Sequence, residues 1–558
     1  MKFMKYMLAL AIALFAMTSN SNAQATLSFV GGGSSALALE LGQAASTLAD
    51  TGCLWTGASS SSILARDART ATPTDEKGNI WIAWGPGSGT CNSPAGSYHI
   101  YSYMTLDSVV GDRCFFEVDS SGTPGCVQVL TVAANTAGGN LLTDGTNFMD
   151  DPGGLAANVI AALNGAHFNI AGTDIRPEDA KFAVNRMFTP CTSVIQREPY
   201  NQTVYQTSGL GYETGTPNVG SAVLSAFSSK SFNVLQFNIT GNDPFTGKAV
   251  PAYTVSTVGA QPIVVSVSPA GGTGIGAASD INGFTLALFV QGVLGRATDL
   301  SGPTSANGVT TLIREPLSGT YNTFEYSIPN SSQFKTTQEA ANCAASGLAK
   351  TNPLNVASAN GQVSGAARKR VIGTGEMVAT LQAASTDTLG YWFWSAANAQ
   401  NFTSSNGKYL KVNGVDPLQD SYTGGVIPTG ASLANVTFSN LNSGAYPIWS
   451  ALRIVSNSAS AAGAAAVIAG AQTLNSTQSD FIPLSKLKVW HSHFNIYGAN
   501  VFNEANGATI NTSGDLCGTA GAKAEGGGDA GGTNVLKQAN HDFCADYGNQ
   551  IGLVNKNN

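Results

Sequence analysis

An apolar run from Leu27 to Val30 stops at Gly31, Gly32 and Gly33. After Ser34 and Ser35, Leu37, Leu39 and Leu41 among alanines read as a helix. A glycine turn at a helix mouth leaves backbone N–H groups open to an anion, while the plainer reading has Ser34 or Ser35 capping the helix. Further on, NIWIAWG (79–85), SYHIYSYMTL (97–106) and RCFFEV (113–118) are short aromatic and β-branched runs between Gly, Ser, Pro and Asn, and they predict antiparallel strands. Residues 153–187 return to an α/β rhythm. Leu155, Val159, Ile160 and Leu163 mark a helix and HFNIAG (167–172) a strand. Asp174 and Pro177 then open another helix, with Glu178 and Asp179 in its first turn. Residues 190–250 are turn-rich. The later pattern predicts a strand at 253–268, a helix at 284–295, strand, loop and helix over 309–328, a helix at 376–384, a strand at 389–396, and a late strand or partly helical segment at 446–456.

Composition narrows the class. Lys2 and Lys5 precede an apolar run from Met7 to Met17, and small residues follow, so residues 1–25 read as a secretory signal with cleavage after Ala23 or Ala25. No other run is long and apolar enough to span a membrane, which places the mature chain in the periplasm or outside the cell. The net charge of −7 becomes more negative once those lysines leave, which argues against nucleic-acid or anionic-membrane partners. Eight cysteines in an exported chain point to disulfides. Cys114 and Cys126 flank a turn and are placed to bridge a hairpin, and Cys517 and Cys544 to close the tail. The other pairings stay open.

Three segments carry the chemistry: VGGGSSA (30–36), FNIAGTD (168–174) and REPLSGT (314–320). Each sets small residues and hydroxyls where a strand ends and a helix begins. The third adds a guanidinium, whose planar fork matches tetrahedral oxyanions. In this order they resemble the phosphate-binding proteins of phosphate ABC transporters, within the type II periplasmic-binding-protein superfamily. Those carry a T-G-x-G-x-T-type loop, a D-F-x-x-S-D-type loop and R-x-D-x-S-G-T. FTLALFVQGVLG (284–295), LGYWFWSAAN (389–398) and YPIWSALRIV (446–455) are softer matches, and DPGGLA (151–156) loosely matches the loop before the family's second helix. The family's aspartate in R-x-D-x-S-G-T is Pro316 here, beside Glu315.

The resemblance implies a two-lobed α/β fold. Lobe one would span 26–250, with a β-rich, disulfide-bearing insertion at 53–150. Lobe two would be 251–430, and 431–558 would return to lobe one and end in a glycine-rich tail. It also implies an inorganic oxyanion, with phosphate the first choice, held between the lobes by Gly33, Ser34, Ser35, Thr173, Asp174, Arg314, Ser318, Gly319 and Thr320. Asp174 would accept a phosphate proton and repel sulfate, which has none. An ABC transporter permease is the implied partner, and no cofactor, metal or catalysis is expected. A surface or structural interaction protein with a degenerate site is the main alternative. A phosphate-ester hydrolase would need a nucleophile or metal cluster that the sequence does not offer. His491 and His493 in HSH make at most half a metal site, and GGGDAGG (526–532) lacks the acid spacing of a calcium loop.

Overall fold

Ten strands build one large mixed sheet: β1 (Gln24–Ser34), β2 (Cys53–Gly57), β3 (Ile80–Trp84), β4 (Ser97–Leu106), β5 (Ile170–Thr173), β6 (Thr254–Ser268), β7 (Thr310–Arg314), β8 (Ala367–Val371), β9 (Thr388–Phe393) and β10 (Trp449–Ser456). Their order across the sheet is β8-β7-β9-β6-β10-β5-β1-β4-β3-β2, and the two-residue strands Lys408–Tyr409 and Ile482–Pro483 also pair with β6. The structure is a computed structural model. It describes residues 24–48, 50–57, 63–66, 75–123, 125–139, 154–177, 180, 237–290, 292–314, 317–328, 363–371, 373–400, 402–403, 405–474 and 480–483, and short strands at 489–491, 501–503, 508–510 and 553–555.

Strand direction follows from the connections. β1 runs parallel to β4 and β5, and β7 runs parallel to β8 and β9. The long strand β6 is antiparallel to both of its main neighbours. Thr254–Pro262 pairs with β10, and Ile263–Ser268 pairs with β9. One strand therefore joins the two parts of the sheet.

Helices cover both faces, which explains why so many strand residues are apolar without alternation. Phe29, Trp81 and Tyr103 face a cluster with α1 (Ala38–Ser46), which supplies Leu39 and Leu41. Val30, Ile82 and Met104 face the opposite cluster with α2 (Ser108–Phe116) and α3 (Ala157–Leu163). Beyond β6, α4 (Gly283–Val290) and α5 (Gly319–Ser327) lie on one face with Ile263, Val265 and Phe393, while α6 (Gly373–Ala383) covers Val264, Leu312 and Trp392 on the other. A last helix, α7 (Ala461–Thr473), packs against α1.

Two expectations change. RCFFEV is not a strand: Arg113 to Phe116 form the last turn of α2. All nine residues of α2 are buried, so its helical period is hidden in the sequence. The stretch 53–150 supplies β2, β3 and β4 to the main sheet. β4 lies directly beside β1. A smaller three-stranded sheet (63–66, 75–77 and 127–130) is also drawn from it. The helix expected at 284–295 stops at Val290.

Cys114 pairs with Cys126, joining the last turn of α2 to the segment before Val127. Cys53 pairs with Cys91, a pairing the sequence left open. Cys191, Cys343, Cys517 and Cys544, the segment 1–23 and GGGDAGG lie outside the described residues. Mass mapping of alkylated, unreduced, unfolded protein should find Cys53, Cys91, Cys114 and Cys126 unlabelled; stoichiometric labelling at any of them would break this pairing scheme. No helix among the described residues is long and apolar enough to cross a membrane.

Candidate functional site

The ends of β4, β5 and β7 meet the first turns of α2 and α5. A backbone hydrogen bond from Val109 N–H to the Leu317 carbonyl (3.3 Å) ties the two helix starts together. Helix N-termini carry unsatisfied N–H groups and a partial positive charge, and here two of them converge.

Arg314, the last residue of β7, is only 1% exposed. A buried guanidinium is costly unless partnered. Its Nη1 donates to the hydroxyls of Thr320 (3.2 Å) and Thr374 (3.0 Å), and its Nη2 lies 3.5 Å from Asp107 Oδ1. Asp107 occupies the N-cap position of α2 but makes no side-chain cap bond there.

Asp174 follows β5 and is buried. Its carboxylate accepts the hydroxyl proton of Ser108, while its backbone N–H donates to the same oxygen at 3.3 Å. The carboxylate also rests on Gly319 so closely that a Cβ at that position would overlap it. A negative group thus stands at the positive end of α5. Ser318 caps that helix by accepting the Tyr321 N–H at 3.4 Å. Tyr103, on β4, donates to the Ser34 carbonyl at 2.7 Å. Burial, then the nearby carboxylates of Asp174 and Asp112, hold its hydroxyl pKa well above the ordinary phenol value.

Five of the expected residues are gathered in this cluster: Asp174, Arg314, Ser318, Gly319 and Thr320. Thr173 is buried beside them, but its hydroxyl donates to the Ile175 carbonyl (2.8 Å) and accepts the Ile175 N–H. Gly33 has φ +142° and packs against Gly172, and a Cβ on Gly111 of α2 would strike its Cα. Its role here is close backbone approach. The Ser34 hydroxyl accepts the Ala36 N–H at 3.2 Å, and Ser35 is exposed. Glu315 and Pro316 lie outside the described residues, and the acid seen beside Arg314 is Asp107.

Asp107, Ser108 and Thr374 were not anticipated. The sequence did hold a signal: Asp-Ser directly after an apolar strand is a helix-start signature, obscured by reading RCFFEV as a strand. The helix start that brings Asp107 to Arg314 is that of α2, whereas DPGGLA leads into α3. Among the described residues no group of three or more His, Cys, Asp or Glu is arranged to hold a metal ion.

No family profile matches the chain, and no curated protein sequence matches it. Solved structures do. A phosphate-binding protein from Stenotrophomonas maltophilia is 14% identical, with 72% of this chain and 87% of that chain covered and a TM-score of 0.30. An ABC-type phosphate transport receptor from Vibrio cholerae is 15% identical over 46% of this chain and 80% of its own, with a TM-score of 0.25. A human phosphate binding apolipoprotein is 14% identical over 48% and 74%, with a TM-score of 0.26.

Proposed function

We propose that the chain is an exported receptor that captures an inorganic oxyanion, with phosphate the preferred ligand, for uptake or sensing, and that it carries out no catalysis on it. The observation behind this reading is the buried Arg314 guanidinium beside two threonine hydroxyls, at a place where the starts of α2 and α5 converge. A guanidinium, hydroxyl donors and helix N-termini together form the chemistry that neutralises a tetrahedral anion. Asp174 adds the discrimination. An ionised carboxylate only accepts, so it favours an anion carrying a proton and repels one without. Residues 26–250 with 431–558, and residues 251–430, would form the two lobes, with β6 of the second paired to β10 of the first. An ABC transporter permease would be the partner of such a receptor.

A second reading has an observation of its own. Arg314 and Asp174 already hold bonds within the chain, as they would in an interaction protein that has kept the fold and lost the ligand. Calorimetry with phosphate, and sulfate as control, separates the two: a receptor binds phosphate and a scaffold binds neither.

Asp174→Asn tests the selectivity directly. Asparagine can present its amide to an unprotonated oxygen, so the phosphate-over-sulfate ratio should narrow by about tenfold, or about 1.4 kcal/mol. An unchanged ratio in competition titrations would reduce Asp174 to a structural group at the head of α5.

A further inference from the structure

We infer that Asp107 is a second selectivity residue of this site, one that tunes it to the singly charged, doubly protonated form of phosphate; this rests on the oxyanion reading above. Asp107 lies at the start of α2 yet makes no side-chain cap bond to its own helix. It is turned instead to Arg314, at 3.5 Å and with both groups buried. In the family the chain resembles, the acid belongs to the arginine's own loop, where this chain has Pro316. Here it comes from another strand end, 207 residues away in sequence.

The charges around the site then decide the ligand's protonation state. Arg314 brings one full positive charge, and the starts of α2 and α5 each add a fraction of one. Asp107 and Asp174 bring two negative charges. Along α2, Asp112 is buried and contributes a further carboxylate near Tyr103, while Arg113 is engaged by Glu117 at 3.1 Å. Arg176 follows Asp174 by two residues, and Arg453, opposite Thr173 on β10, donates to the Ala451 carbonyl. Two carboxylates can accept two protons. Dihydrogen phosphate offers two O–H donors, one for each. Hydrogen phosphate offers one and leaves a carboxylate against a bare, charged oxygen. Sulfate offers none. With Asp174 as the sole acceptor, both phosphate forms would satisfy the site and affinity would vary little around neutral pH.

The test is calorimetry of inorganic phosphate on the full chain from about pH 6 to about pH 8.5, for wild type, Asp107→Asn and Asp107→Ser, with circular dichroism as a folding check. Wild-type affinity for total phosphate should fall about twentyfold across that range as the dihydrogen form disappears, and the variants should flatten the profile to less than about threefold. A flat wild-type profile overturns the inference, whatever the variants do. So does a folded variant that keeps the wild-type slope. Wild type that binds no phosphate at any pH overturns the receptor reading itself, and this inference with it.

Discussion

Arg314→Ala should abolish measurable phosphate binding at concentrations that saturate the wild type. The guanidinium brings a full positive charge to the head of α5, bonded to Thr320 and Thr374 and 3.5 Å from Asp107. Removing a charge-assisted partner of a buried anion costs about 2–5 kcal/mol of affinity. The same substitution takes the Arg314 guanidinium away from the buried Asp107, and breaking a buried pair from one side costs about 3–5 kcal/mol of stability. That is a large part of a typical domain's total, so the melting temperature should fall sharply as well. The double variant Arg314→Met with Asp107→Leu separates the effects. Replacing a buried pair by apolar groups of similar size is often neutral or stabilising. The double variant should therefore recover most of the lost stability and none of the binding. Recovery of phosphate affinity in it would show that the anion is held elsewhere.

Gly319→Ala should cost both binding and stability although it adds a single methyl group. A Cβ at Gly319 would overlap the Asp174 carboxylate, which is itself held by Ser108. Either the carboxylate or the first turn of α5 must move. Overpacking of this kind costs about 1–3 kcal/mol, and because the shift falls within the proposed anion site, phosphate affinity should drop by more than about tenfold. Gly375→Ala is the matched control. It lies in α6, where a Cβ would meet nothing within 4 Å, so alanine should leave binding intact and change stability by under about 1 kcal/mol in the favourable direction. Equal effects from the two substitutions would remove the close approach of Asp174 to α5 from the account.

The legible parts of the sequence were those with local signals. Ser318 precedes a helix and caps it, Arg314 ends a strand, and Asp174 follows one; each could be placed from its neighbours alone. Strand β4 was visible as a strand, but its position was not. Its partners are β1, more than seventy residues earlier in register, and β3, and nothing in an aromatic run says which strand it will flank. Helix α2 was misread for a physical reason. It is buried on every side, so no polar stripe marks its period, and its phenylalanines resemble strand residues. That misreading hid Asp107 and Ser108, because a helix start cannot be recognised when the helix is not. Thr374 was hidden differently. It reaches Arg314 from sixty residues away, through the placement of α6 beyond β8, and no motif records that approach. The Cys53–Cys91 pair likewise depends on β2 lying beside β3, a tertiary fact.

Everything proposed for this chain rests on Arg314, Asp174 and the two helix starts holding phosphate. The measurement that tests it most directly is one calorimetric titration of the wild-type chain with inorganic phosphate near neutral pH, repeated with sulfate at the same ionic strength. Saturable one-to-one binding of phosphate and no competing heat from sulfate are expected. Equal binding of the two anions, or binding of neither, would contradict it.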